Sequence, residues 1–260
     1  MHLIAVLVLA VAPAVAQEVA KKNEFLFVAH RGASYLAPEN TLASITLAWE
    51  LGAEAAECDV MLTADKRIIL FHDNKSKRLT GESFIIKETN WEHLKGLTIK
   101  GRKSNHKIYE NEPIPLLKNV LDIIPEDRML VIEIKTGPEI LPYLKPLIDK
   151  HWKSGTISFI AFDFETIKSV KALYPKISCY YLSSLKTDLN NRLNDIVTCK
   201  LDGVDLSHSI IDEAVIDKCS DLGLEVWCWT VNDLKTARRM KKLGVIALTT
   251  DRPAWLKENL

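Results

Sequence analysis

The chain has 260 residues and carries 34 Lys plus Arg against 34 Asp plus Glu, so its bulk charge offers no steering field for nucleic acid or an anionic membrane, and any anion preference must be local. That length suits one large domain, as in the α/β barrels. The five cysteines, Cys58, Cys179, Cys199, Cys219 and Cys228, are scattered without CxxC spacing, which argues against zinc-ribbon and thioredoxin chemistry.

In chain order, the first feature is the apolar run from Leu3 to Ala16, which ends in Ala14-Val15-Ala16. It fits the core and small-residue cleavage site of a signal peptide and is too short for an ordinary spanning helix. Pro13 and the charged stretch from Glu18 to Glu24 argue against a buried N-terminal helix, although His2 is the only candidate cation ahead of the run. We therefore expect residues 1–16 to be removed, the mature chain to begin near Gln17, and the protein to be exported, periplasmic or extracellular. No cysteine follows the cleavage site to carry a lipid, so no stable membrane anchor is expected.

Strand-like apolar segments follow at residues 25–29, 54–60, 67–71, 130–134, 157–161, 177–182, 202–206, 224–229 and 245–249. The segment 67–71 is the return arm of a hairpin, since the four residues Thr63 to Lys66 are too few for a parallel crossover. Pairing about that turn sets Asp59 opposite His72. Each of the other eight segments precedes a helix-compatible stretch: 41–51, 116–124, 140–152, 165–173, 188–199, 212–222, 233–243 and 253–259. Eight βα units predict a (β/α)₈ TIM barrel in a domain spanning 24–260, with the site at the C-terminal ends of the strands. Asn232 is the expected cap of the helix at Asp233, and Gly223 and Gly244 are expected to end helices. Residues 74–115 read as a small insertion over the barrel mouth, either a lid or a packed subdomain. Cys58, Cys179 and Cys228 have apolar neighbours and read as buried strand residues.

The chemistry gathers at predicted strand ends. Glu57 and Asp59 lie two apart, as do Glu133 and Lys135, so each pair projects from one face of its strand. Glu57, Asp59 and Glu133 form a candidate metal shell. Hard oxygen ligands without thiolate favour magnesium, calcium or manganese over zinc; the bland alternative is a salt-bridge network with Arg31 and Lys135. His30 and Arg31 follow the first strand, and the hairpin returns His72 to the carboxylates. Arg31 and Lys135 are candidate phosphate ligands. Glu39 either orients the His30 loop or caps the helix at Thr41, and Trp229 either walls a pocket or belongs to the core. His93, His106, His151 and His208 have no partners at ligand spacing and read as incidental.

The motifs His30-Arg31-Gly32, Pro38-Glu39-Asn40-Thr41, Glu57-Cys58-Asp59-Val60, Phe71-His72-Asp73 with Arg78 to Gly81, Glu133-Ile134-Lys135, Trp229 to Asn232 and Thr250 to Pro253 resemble those of the glycerophosphodiester phosphodiesterases. The resemblance implies a metal-dependent barrel that hydrolyses glycerophosphodiesters to sn-glycerol 3-phosphate and an alcohol. It assigns His30 and His72 to acid/base catalysis, and Glu57, Asp59 and Glu133 to one divalent metal, Mg or Ca, with Mn also suited. The implied partner is a small-molecule glycerophosphodiester rather than a nucleic acid. Two departures, Ile246-Ala247 before the last strand and Cys58 in place of an aliphatic residue, touch no proposed catalytic group. Two other functions are weighed: a sphingomyelinase-D-like phospholipase forming a cyclic phosphate, and a non-catalytic exported binding barrel.

Overall fold

The computed structural model describes residues 25–101, 109 and 111–260. The expected leader at 1–16, the domain start at 24 and His106 lie outside the described residues. The strands are β1 (Leu26–Ala29), β2 (Ala55–Leu62), β3 (Ile68–Leu70), β4 (Thr98–Ile99), β5 (Glu112–Pro113), β6 (Met129–Ile134), β7 (Thr156–Ala161), β8 (Ser178–Ser183), β9 (Gly203–Ser207), β10 (Glu225–Trp229) and β11 (Ala247–Thr250). The order β1-β11-β10-β9-β8-β7-β6-β2 closes on itself where Val28 pairs with Ala55 and Ala29 with Ala56. All of these pairings are parallel. The fold is therefore a (β/α)₈ TIM barrel, as the alternation of strand and helix patterns predicts.

Strand alternation divides the side chains into two cores. Those facing outward, among them Cys58, Val60, Ile132, Phe159 and Leu206, are buried under the helices. Those facing inward, including Val28, Val131, Tyr180, Leu182 and Trp227, fill the barrel. Tyr180 stacks on Trp227 with centroids 4.1 Å apart and its hydroxyl donates to Glu225 Oε2 at 2.7 Å. Each fully buried large side chain contributes roughly 1.5–3 kcal/mol. This filled lower barrel gives the polar residues above it a rigid floor. All five cysteines are free, with Cys58, Cys179 and Cys228 buried in strands as expected.

The helices begin where the sequence offers a cap. Helix Leu42–Glu50 starts from a capping box in which Thr41 Oγ1 accepts from the Ser44 amide at 3.1 Å and Ser44 Oγ accepts from the Thr41 amide at 3.2 Å. Gly244, at φ 97°, ends helix Leu234–Leu243. The expected cap Asn232 is corrected: Asp233 caps that helix, accepting from the Thr236 amide at 2.9 Å. The helix begins one residue later than expected, which brings the Asp233 carboxylate to the free amides and releases Asn232 for other bonds.

The hairpin register is also corrected. Thr63 donates its amide to Arg67 O at 2.9 Å across a three-residue loop in which Lys66 takes φ 66°. That odd loop length pairs Val60 with Leu70 and Met61 with Ile69. The Phe71 amide then reaches Asp59 O at 3.0 Å, so Asp59 stands opposite Phe71 and His72 follows it. β3 has already ended, and the chain is free to turn His72 toward the barrel mouth.

The insertion is a packed subdomain rather than a bare loop. Leu79, Ile86, Leu94, Leu97, Ile99 and Ile114 form a core of their own with Met61, Ile69 and Phe71 from the hairpin. Among its described residues none lines the central cavity.

Candidate active site

The site begins with three carboxylates on neighbouring strands. Glu57 and Asp59 project inward from β2, and Asp59 is in register with Glu133 of β6. One ligand atom from each lies within 4.8 Å of the others. Glu57 and Asp59 are each 1% exposed, and Glu133 is partly buried. Glu57 Oε2 accepts from the Arg31 amide at 2.7 Å. Asp59 Oδ2 accepts from Asn40 Nδ2 at 2.8 Å, while Asn40 Oδ1 accepts from the Asp59 amide at 2.9 Å. Glu57 Oε1 and Asp59 Oδ1 remain buried without a hydrogen bond. A buried carboxylate oxygen left without a donor is costly unless a cation meets it, and a hard divalent ion suits this oxygen set. The three residues therefore fit the metal expected from the sequence.

Backbone conformation holds the first loop against these acids. Arg31 and Gly32 take φ 55° and 76°, which turns the Arg31 amide onto Glu57 and the Gly32 amide onto Glu57 O at 3.0 Å. A β-carbon on Gly32 would stand 2.4 Å from the Ser44 carbonyl carbon. Only glycine fits this contact between the loop and the helix.

Two cations offset part of the negative charge. Arg31 Nε stands 3.2 Å from Asp59 Oδ2 and Nη1 donates to Glu39 Oε1 at 2.7 Å. Lys135 Nζ donates to Glu133 Oε1 at 2.6 Å and lies 3.6 Å from Asp59 Oδ1. Burial, reinforced by Asp59 and Glu133, pushes Glu57 well above the usual carboxylate range. Burial and the Asp59 charge likewise push Glu133 up to about 7 against the pull of Lys135. Burial acts upward on Asp59 too, but Arg31, Lys135 and His72 outweigh it and hold this carboxyl low. Glu39 supports the cations from behind: it accepts from Arg31 and, at 2.7 and 3.0 Å, from Arg78. The cap reading of Glu39 is corrected, because Thr41 is the helix cap.

Each expected catalytic histidine is held by a carboxylate. His30 Nδ1 lies 2.8 Å from Asp251 Oδ1. Asp251 in turn accepts from Ser34 Oγ at 3.2 Å and from Asn232 Nδ2 at 3.0 Å. His72 Nδ1 lies 2.8 Å from Asp73 Oδ1, and Arg78 Nε donates to Asp73 Oδ2 at 2.5 Å. A carboxylate on Nδ1 favours the proton there and leaves Nε2 to meet substrate. The hydrogen bond from Arg78, helped by His72, holds Asp73 down at about 2. Burial lowers His72, and Arg31 and Lys135 add to that effect, while Asp59 and Asp73 oppose it.

These groups surround a cavity of about 210 Å³ lined by His30, Arg31, Glu57, His72, Glu133 and Lys135. Trp229 forms part of its wall, with Nε1 donating to Asp205 O at 3.1 Å and its ring set edge-on to Phe162 at 5.6 Å. Seven of the nine site residues expected from the sequence line this cavity, and the other two are bound to its lining: Asp59 to Arg31 and Lys135, and Glu39 to Arg31. The incidental histidines lie elsewhere: His151 pairs with Asp122 at 2.8 Å, and neither it, His93 nor His208 lines this cavity. Sequence reasoning missed Asp205, a buried acid in β9 that lines the cavity. It gave no role to Asn40, Asp73, Arg78 or Asp251 either. The His-Asp adjacency at 72–73 was a readable signal; the partnership of His30 with Asp251, 221 residues apart, was not.

Residues 30–255 match the glycerophosphoryl diester phosphodiesterase family. A glycerophosphodiester phosphodiesterase from Caldanaerobacter subterraneus is 32% identical over 241 residues, covering 89% of this chain and 96% of that protein. The solved structure of an Oleispira antarctica phosphodiesterase in complex with the product sn-glycerol-3-phosphate superposes with TM-score 0.83 and 29% identity, covering 92% of this chain and 98% of that one. The Thermotoga maritima glycerophosphodiester phosphodiesterase, at 21% identity and TM-score 0.73 over 91% of this chain and 99% of its own, shares the fold.

Proposed function

The chain belongs to the glycerophosphoryl diester phosphodiesterase family, and from that membership we propose that its cavity hydrolyses glycerophosphodiesters to sn-glycerol 3-phosphate and an alcohol, with His30 and His72 as the acid/base pair. The observation that carries the proposal is the meeting of two carboxylate-held histidines and three converged acids at one barrel mouth. The product bound by the Oleispira antarctica relative is the one this reaction would release.

Glu57, Asp59 and Glu133 would hold one divalent cation, Mg or Ca, with Mn also suited to the oxygen set. Such an ion supplies charge neutralisation at the phosphoryl oxygens when bound. Arg31 and Lys135 face the same cavity and would orient the phosphodiester while offsetting the charge that develops during displacement. One histidine removes a proton from the attacking oxygen, and the other gives a proton to the departing alkoxide through Nε2. Asp251 and Asp73 keep the two rings oriented for this exchange. Glu39 acts through Arg31, and Trp229 walls the glycerol site.

The same reading places the catalytic domain at residues 24–260 and treats residues 1–16 as a cleaved leader of an exported, periplasmic or extracellular protein. The apolar run ending in Ala14-Val15-Ala16 supports export. The proposal is tested by resolving the products of glycerophosphocholine incubated with the protein and a divalent cation. Linear sn-glycerol 3-phosphate and choline are expected; a cyclic phosphate as the final product would establish sphingomyelinase-D-like transfer instead.

A further inference from the structure

Asp205 has no part in the chemistry above, yet its position demands a ligand. It sits inward on β9 between Leu182 of β8 and Trp227 of β10, is 1% exposed, and lines the cavity beneath the histidines. Its Oδ1 has no hydrogen-bond partner. Of the cavity-lining side chains, Ile160 and Leu182 offer no donor, and Trp227 Nε1 on the paired residue of β10 makes no hydrogen bond to Asp205. A buried carboxyl oxygen in such a place is unfavourable by itself, and an apolar residue of similar shape would fill a barrel layer of this kind at least as well.

We infer that Asp205 is a specificity-determining residue that accepts a hydrogen bond from the terminal hydroxyl of the substrate's glycerol moiety. The inference rests on the glycerophosphodiester reading of the cavity. The inner-layer side chains Tyr180 and Trp227 fill the barrel below, so the small glycerol end enters and the alcohol headgroup remains at the open mouth. Of the two glycerol hydroxyls, the one on the carbon beside the phosphoester stays close to the reacting phosphorus. The terminal hydroxyl is the group that can extend away from His30 and His72 to the floor. Trp229 covers the glycerol carbons from the side, its indole fixed by its bond to the Asp205 carbonyl at 3.1 Å. One residue thus both anchors the wall and offers the acceptor.

The test compares glycerophosphocholine with the propane-1,2-diol phosphocholine diester, which lacks only the terminal hydroxyl, by measuring choline release from both. The wild-type protein should prefer the glycerol substrate by roughly 10²-fold in kcat/KM, because a site built around a hydroxyl penalises its absence. In Asp205→Leu that preference should collapse to within about threefold through loss on the glycerol substrate alone, with Asp205→Asn, which keeps an acceptor oxygen, intermediate. The thermal midpoint of Asp205→Leu should equal or exceed that of wild type, which separates lost recognition from lost folding. Wild-type protein that cleaves both diesters equally well would overturn the inference while leaving the phosphodiesterase intact, as would an Asp205→Leu variant that keeps the full preference. Failure of wild type to cleave glycerophosphocholine with a divalent cation would overturn both readings.

Discussion

His30 and His72 reach the cavity from distant parts of the chain, but each is tied at Nδ1 to a carboxylate 2.8 Å away. Replacing either histidine with alanine should lower kcat by roughly 10²-fold or more with a smaller change in KM; wild-type turnover in either variant would remove that residue from the mechanism. Glu133 sets a pH dependence of stability. Its carboxyl is pushed up to about 7 from an ordinary 4.5, so between those values the folded protein binds more protons than the unfolded chain. Its contribution to stability must therefore fall as pH rises from about 4.5 to about 7. His72, lowered by burial, acts in the opposite direction, so the Glu133 contribution is read as the difference between chelator-treated wild type and Glu133→Gln. The variant should gain in thermal midpoint relative to wild type as pH rises through this window; a constant difference would contradict the assignment. The carboxylates were legible in the sequence because Glu57 and Asp59 keep strand spacing. Asp205 was not, since it shares the segment 202–206 only with Asp202, three residues away and so off strand spacing, which gives no pattern to read.

Between residue and barrel, the elements deliver these groups through turns that depend on one or two backbone positions. Gly32 combines φ 76° with a β-carbon position 2.4 Å from the Ser44 backbone. Gly32→Ala should cost roughly 2 kcal/mol or more and should reduce activity further by pulling the Arg31 amide from Glu57. Thermal denaturation and turnover of the variant check this; wild-type values in both would show that the loop can yield. The hairpin teaches a related lesson. Its existence followed from the short connection, but its register depended on the number of residues in the turn, which sequence spacing alone did not fix. The three-residue loop closed by Lys66 at φ 66° shifts Asp59 from His72 to Phe71. Asn232 was misread for the same reason, because a helix start one residue later exchanges a cap for a bond to Asp251.

At the scale of the whole molecule, the eight-strand closure gathers residues that sequence order scatters, and it does so at one rim. The repeated strand and helix patterns made that architecture legible. The insertion was harder to read because its apolar residues are spaced without a period, and their core forms only when Leu79, Leu94 and Ile99 meet the hairpin residues Ile69 and Phe71. Export is a separate prediction: intact mass of the protein from its native host should correspond to a chain beginning near Gln17, and a soluble cytosolic form still carrying Met1 to Ala16 would contradict it. If Glu57, Asp59 and Glu133 hold a cation on which turnover depends, the decisive measurement is the release of sn-glycerol 3-phosphate by chelator-treated protein during titration with magnesium or calcium. Activity should be absent after chelation and return with the added ion in wild type, but not in Glu57→Gln or Asp59→Asn; full activity in the chelated wild-type protein would contradict the account.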